Sequence, residues 1–128
     1  MKITLLTLAQ VHSIHIDQIN TYGGIHGIRD MHLFDSAIHY PQSTFDGQFM
    51  LPDIYHMAAG YLVHIVKNHP FIDGNKRTGM MTAITFLGYN DIYINATNEE
   101  IYTLVIQVAS SQKVSEESVA QFFREKII

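Results

Sequence analysis

Between Ile54 and Val66 the apolar residues Ile54, Tyr55, Met57, Ala58, Tyr61, Leu62, Val63, Ile65 and Val66 cover almost the whole circumference of a helix. A helix that is apolar on all sides has no face to offer water and must lie at the centre of its domain. Its one polar or small stripe is His56, Gly60 and His64. Pro52 and Asp53 open it, the aspartate being a good N-cap. Whatever else folds must cover this helix, and the remaining sequence supplies amphipathic helices to do so.

Thr7-Leu8-Ala9-Gln10 has the pattern of a capping box and opens a periodic stretch ending at Tyr22-Gly23-Gly24, so a first helix is expected over about 8 to 22. A shorter second helix is expected from Asp30 to Tyr40, with Leu33, Phe34, Ala37 and Ile38 on one face and a stop before Pro41. After residue 77, Met80, Met81, Ala83, Ile84, Phe86 and Leu87 form an apolar helix closed by Gly88. Thr97-Asn98-Glu99-Glu100 is another capping box, opening a helix with Ile101, Leu104, Val105 and Val108 inside. Ser115 caps a last helix that carries Val119, Phe122 and Phe123, with Glu116 and Glu117 where acidic groups complement the helix dipole. Ser43 to Met50 differs: it sets the two-residue hairpin signal Asp46-Gly47 between short aromatic-bearing arms. The expected fold is all-α, a helical bundle with one β-hairpin. No repeat, low-complexity stretch or linker interrupts it, so one domain over residues 1–128 is expected.

The 128 residues, 47% hydrophobic and 16% charged, can bury a core without metal or disulfide staples. The absence of cysteine excludes thiol catalysis and thiolate metal sites. No apolar run reaches membrane-spanning length, and Met1-Lys2-Ile3-Thr4-Leu5-Leu6 turns polar too soon for a signal peptide. A cytoplasmic protein with no membrane contact is expected. A net charge of −4 and a pI near 6.0 argue against direct nucleic-acid binding, since such surfaces gather Lys and Arg on one face. Eight histidines invite a metal reading, which spacing opposes. His56 and His64 would lie roughly 12 Å apart along a helix axis, and no His-Glu-x-x-His is present. His12 with His15, and His32 with His39, lack carboxylate partners at ligand spacing and fit surface or satisfied core positions.

One polar loop, His69-Pro70-Phe71-Ile72-Asp73-Gly74-Asn75-Lys76-Arg77, joins the two apolar helices, and core packing does not require it. Gly74 and Asn75 fall where the second of these helices begins, so free backbone N–H groups and the positive end of the dipole can hold phosphate oxygens there. Lys76 and Arg77 add charge, and an arginine can grip two oxygens at once. Asp73 is a hard anionic ligand suited to a magnesium ion shared with nucleotide phosphates. His69, at the end of the central helix, can take a proton from an attacking hydroxyl, histidine being the side chain that exchanges protons near neutral pH. Phe71 would point inward and pin the loop. Taken singly, His69 could be a helix cap, Asp73-Gly74 a turn and Lys76-Arg77 a solvated pair; the joint pattern is what marks a site.

The string HPFIDGNKR at 69–77 resembles the Fic/Doc family motif His-Pro-Phe-x-Asp/Glu-Gly-Asn-Gly/Lys-Arg at every defined position, and most closely the death-on-curing (Doc) toxin branch. Gly23-Gly24-x-x-Gly27-Ile28-Arg29-Asp30 and Pro41-Gln42 are similar to segments that precede the motif in that branch. The resemblance implies a Fic-like helical bundle in which His69 is the general base, Asp73 the Mg2+ ligand, and Gly74, Asn75, Lys76 and Arg77 the nucleotide phosphate-binding set, with ATP as co-substrate. It also implies a hairpin flap of Thr44, Phe45, Asp46, Gly47, Gln48 and Phe49, on which an extended target segment pairs edge to edge. A simple connecting hairpin is the alternative for this segment.

Adenylyl-transferring relatives usually have Gly at the position of Lys76, whereas the Doc branch has Lys. The resemblance therefore implies a toxin-like protein kinase that moves the terminal phosphate to a Ser, Thr or Tyr hydroxyl of a target protein. The implied target class is a translation factor such as elongation factor Tu. AMP transfer to a protein hydroxyl is the alternative, with a metal-dependent nuclease or a non-catalytic binding module as further ones. Relatives that restrain themselves carry an inhibitory helix with Ser/Thr-x-x-x-Glu-Gly/Asn. Here Glu99, Glu100, Glu116, Glu117 and Glu125 are each followed by another residue type, so a separate antitoxin chain is the implied restraint.

Overall fold

A computed structural model of the protein describes residues 2–111 and 114–128; Met1 of the opening segment lies outside them. The elements are α1 (Leu8–Tyr22), α2 (Met31–His39), a 3-10 turn (Tyr40–Gln42), β1 (Thr44–Phe45), β2 (Gln48–Phe49), α3 (Ile54–Asn68), α4 (Asn75–Tyr89), α5 (Asn98–Ser110) and α6 (Glu116–Glu125). The fold is all-α with a single two-stranded hairpin among the described residues, the Fic-like bundle that the sequence implies. None of its described helices is long and apolar enough to cross a membrane.

As its all-round apolarity demands, α3 is the axis of the bundle. Met57, Ala58, Ala59, Tyr61, Leu62 and Ile65 are essentially inaccessible to water, and α2, α4, α5 and α6 pack around them. The approach of α4 depends on Gly79: a Cβ there would lie 3.0 Å from Val66 and 3.3 Å from the Leu62 carbonyl. Capping boxes form at Thr7 with Gln10 and at Thr97 with Glu100, and Asp30, Asp53 and Ser115 cap α2, α3 and α6.

One helix end differs from expectation. Gly88 does not close α4, which runs on to Tyr89 and turns at Asn90 and Asp91 (φ 63°). The Asn90 amide explains the longer helix: it donates to the carbonyls of Phe86 (2.8 Å) and Thr4 (3.0 Å) and accepts from Thr4 N–H (2.7 Å), tying the N-terminal segment over the helix end. The α2 helix stops at His39, before Pro41 as expected, and Pro41 sits in the 3-10 turn that follows, at a position where its missing N–H costs nothing.

The polar stripe of α3 is where α6 docks. His56 lies between Asp53 (2.8 Å) and Glu117 (2.6 Å); His64 meets Glu116 (3.0 Å) and stacks on Tyr40, whose hydroxyl donates to Glu116 (2.9 Å). Arg124 closes the network on Asp53 at 2.8 Å. The two histidines thus serve separate acid partners, in keeping with their separation. In the hairpin, Thr44 pairs with Phe49 and Phe45 with Gln48 across Asp46 and Gly47, whose φ values of 54° and 79° are those an Asp-Gly hairpin turn requires. Both strands are exposed.

Candidate active site

The loop between α3 and α4 is held from two sides. Its first residue, His69, is the C-cap of α3 in the left-handed conformation (φ 53°, ψ 53°). For a residue with a Cβ that geometry costs about 1–2 kcal/mol and persists only where neighbours enforce it. The neighbours come from the segment between α1 and α2. Arg29 donates from Nε to the His69 carbonyl (2.7 Å) and from Nη2 to the Asn68 carbonyl (3.0 Å). The backbone N–H groups of Arg29 and Asp30 both reach the Pro70 carbonyl, at 2.7 and 3.1 Å. Ile28 bridges to Phe71 in antiparallel fashion, and Ile72 N–H donates to the Gly27 carbonyl (3.0 Å). The His69 side chain is exposed, with no hydrogen bond to its imidazole among the described residues.

Phe71 turns inward as expected. It is fully buried, tilted against Phe34 at 4.9 Å and stacked on His15 at 3.8 Å with the rings 4° from parallel. His15 lies on the inner face of α1, and its Nε2 is 2.8 Å from the Asp73 carbonyl, a contact that assigns the proton to Nε2. Burial pushes its pKa below the ordinary value, against the opposing hydrogen bond to Asp73. His15 is therefore a neutral strut beneath the loop.

Asp73 presents an exposed carboxylate whose oxygens each accept one backbone N–H: Oδ2 from Ile25 (3.1 Å) and Oδ1 from Gly74 (2.9 Å). These two amides, the Ile25 bond foremost, hold its pKa below the usual carboxylate value, so the group is ionised. Gly24 makes room for it: a Cβ at that position would fall 2.7 Å from Asp73 Oδ2. Gly74 follows as a left-handed N-cap (φ 78°) with no side-chain cap bond. Hence no described acceptor takes the backbone N–H groups of Asn75, Lys76 and Arg77. Such a helix start has the donors to cradle an anion, and the exposed Lys76 and Arg77 side chains adjoin it. Arg77 also touches the Gly23 carbonyl at 3.3 Å and lies over the Tyr22 ring.

Two residues of the expected phosphate-binding set have other engagements. The Gly74 N–H is committed to Asp73. The Asn75 side chain is buried and clasps Phe71, accepting from its N–H and donating to its carbonyl, each at 2.9 Å. What Asn75 offers an anion is its backbone N–H. The loop gathers His69, Asp73, Lys76 and Arg77, whereas the hairpin Thr44–Phe49 is a separate exposed element whose outer edges pair with no other strand among the described residues.

A magnesium ion fits the donor set at Asp73. A carboxylate has about four lone-pair sites, and two of them are used here. Among the described residues no group of three His, Cys, Asp or Glu side chains could hold a metal, so the remaining ligands would be nucleotide oxygens and water, as Mg2+ prefers.

Residue reasoning overlooked His15, Arg29 and Gly24 as parts of the site. The signal for His15 was its register with Val11, Gln18 and Ile19 on the buried face of α1. For the other two it was their place in the glycine-rich segment before α2, whose role is legible only once that segment is seen against the loop.

Residues 5–87 match the Fic/DOC family. The chain is 30% identical over 112 residues to the protein named "Protein kinase doc" of Escherichia phage P1, covering 88% of this chain and 86% of that one. It is 39% identical over 75 residues to "Toxin Doc" of Mycolicibacterium smegmatis (strain ATCC 700084 / mc(2)155), covering 59% of this chain and 58% of that protein's length. With the motif loop, its clamping segment and the helical bundle in register with that match, the chain belongs to the Fic/DOC family.

Proposed function

We propose that the protein is a toxin-like protein kinase, cytoplasmic, that transfers the terminal phosphate of ATP to a hydroxyl of a target protein. The observation that carries this reading is the α3–α4 loop, where an exposed histidine held in a strained backbone geometry precedes an ionised aspartate and an uncapped, basic helix start. The names of the two relatives, one a toxin and one a protein kinase, support this reading.

In the proposed step the target hydroxyl oxygen forms a bond to the γ-phosphorus while the bond from that phosphorus to the β–γ bridging oxygen breaks. ADP leaves with the bonding electrons, and the hydroxyl proton passes to the His69 imidazole. The N–H groups of Asn75, Lys76 and Arg77, with the Lys76 and Arg77 side chains, bind and orient the phosphates. Mg2+, held through Asp73, would neutralise phosphate charge and fix the chain of oxygens. The long cation at Lys76 fills space that a glycine would leave beside the loop backbone, which favours kinase over AMP-transfer geometry. The hairpin would take an extended segment of the target by strand addition, and a translation factor such as elongation factor Tu is the target class that the Doc resemblance implies.

A small antitoxin chain with a disordered tail that folds on binding would restrain the enzyme. Incubation with labelled ATP and candidate proteins tests the reading: label on protein supports transfer, loss of added nucleic acid would instead indicate a nuclease, and neither would indicate a binding module. Harmless overexpression of an active wild-type chain alone would count against the toxin assignment.

A further inference from the structure

We infer that Arg29 is a positioning residue for His69, an inference that rests on the phosphotransfer reading above. Three successive carbonyls at the end of α3, those of Asn68, His69 and Pro70, all accept hydrogen bonds from this one residue, through Nη2, Nε and the backbone N–H. A helix C-terminus leaves its last carbonyls without partners and carries partial negative charge, so a planar cation with forked donors suits it in both charge and geometry. Here the requirement is sharper than in an ordinary cap, because His69 is a non-glycine residue in the left-handed region. Its peptide carbonyl is the group that the shortest of the side-chain contacts holds, at 2.7 Å.

The division of labour within Arg29 makes the inference testable. The backbone N–H groups of Arg29 and Asp30, the Ile28 to Phe71 bridge and the Ile72 to Gly27 bond do not depend on the guanidinium. Loss of the side chain therefore leaves the clamp on Pro70 to Ile72 in place and releases the carbonyls of Asn68 and His69. The α4 end of the loop is held independently by Asn75 on Phe71 and by His15 on Asp73. His69 would relax out of the left-handed conformation and its imidazole would leave the place from which it takes the hydroxyl proton, while the phosphate cradle kept its shape. A displacement of this kind at a proton acceptor lowers turnover by about a hundredfold. Lysine can offer a point charge to one carbonyl but cannot fork across two, so it restores part of the function.

Two variants, Arg29→Met and Arg29→Lys, are compared with wild type and with His69→Ala. Expected for Arg29→Met is a fall in kcat of about a hundredfold with the KM for ATP unchanged, and for Arg29→Lys a fall of about tenfold. NMR on each variant without ligand supplies a readout besides activity: the Cα and Cβ shifts of His69 should leave the left-handed range while the amides of Gly74 and Lys76 stay in place. Should Arg29→Met fail to fold, Arg29→Lys carries the same comparison. Wild-type kcat, an effect confined to KM, or unmoved His69 shifts would each overturn the inference. Full activity of His69→Ala itself would instead strike at the phosphotransfer reading, and the NMR shifts would still decide the role of Arg29 in holding His69.

Discussion

Replacing Asn75 with alanine should cost stability rather than nucleotide affinity. The Asn75 side chain is 4% exposed with its residue and makes two buried hydrogen bonds to the Phe71 backbone, each 2.9 Å long. Truncation leaves the Phe71 N–H and carbonyl without partners in the same stroke, at about 1–3 kcal/mol for each orphaned group. Water entering the vacated space recovers part of this, so a net loss of about 2–4 kcal/mol is expected. Asn75→Asp is no rescue, since it keeps an acceptor for the N–H but sets a second oxygen against the carbonyl. Lys76→Ala, at an exposed neighbour, is the control and should stay within about 0.5 kcal/mol of wild type. Equilibrium urea unfolding measures all three. An Asn75→Ala variant as stable as Lys76→Ala would refute the clasp and return the Asn75 side chain to the phosphate site.

Other outcomes follow from the same geometry. His69→Ala should abolish transfer with an unchanged thermal midpoint, because the imidazole is exposed and contributes no core contact; full activity would remove His69 from the mechanism. Gly24→Ala should move the Asp73 carboxylate and raise the magnesium concentration needed for activity by about tenfold, with a stability loss of about 1–3 kcal/mol from its positive φ; an unchanged magnesium requirement would contradict the Asp73 assignment. Stability should also depend on pH through the α3–α6 staple. The hydrogen bond to Glu117, then that to Asp53, raises His56 above its ordinary 6.5 against the effect of burial, so its contribution is whole below 6.5 and fades as pH rises through the raised value. Burial works to raise Asp53 and Glu116, but bonds from His56 and Arg124 to the first, and from His64 and Tyr40 to the second, prevail; both sit below their ordinary 3.8 and 4.5, and their contributions fade as pH falls through those lowered values. The staple's own contribution should therefore be greatest between 4.5 and 6.5, and His56→Gln should flatten the alkaline fall of the urea midpoint; an alkaline fall identical in the variant would exclude His56 as its source.

The axis of the bundle was legible in the sequence because a helix apolar on every side has only one place to go, and the capping residues Thr7, Asp53, Thr97 and Ser115 marked starts that the structure reproduces within a residue. Endings were harder. Gly88 carries the composition of a stop, yet α4 ends where the Asn90 amide reaches Thr4, a partner 86 residues away that no local window contains. The chemistry of the loop was legible in its residue types, since a histidine, an aspartate and a basic helix start have intrinsic functions. Its architecture was not: Asn75 has the composition of an anion ligand, and only burial reveals it as a clasp on Phe71. Nor could spacing show that Gly24, Ile25 and Arg29 reach across 39 to 49 residues to hold Asn68, His69 and Asp73. The α3 stripe of His56 and His64 was legible as the polar side of that helix, but its acid partners on α6 follow from packing alone.

Paired labelling of a target protein with γ-labelled and α-labelled ATP, using wild type and His69→Ala, tests the central claim most directly. Transfer of the terminal phosphate through the loop predicts γ-label on the target, no α-label, and loss of both with His69→Ala. Incorporation of α-label into the target by the wild-type protein would contradict it and assign AMP transfer instead.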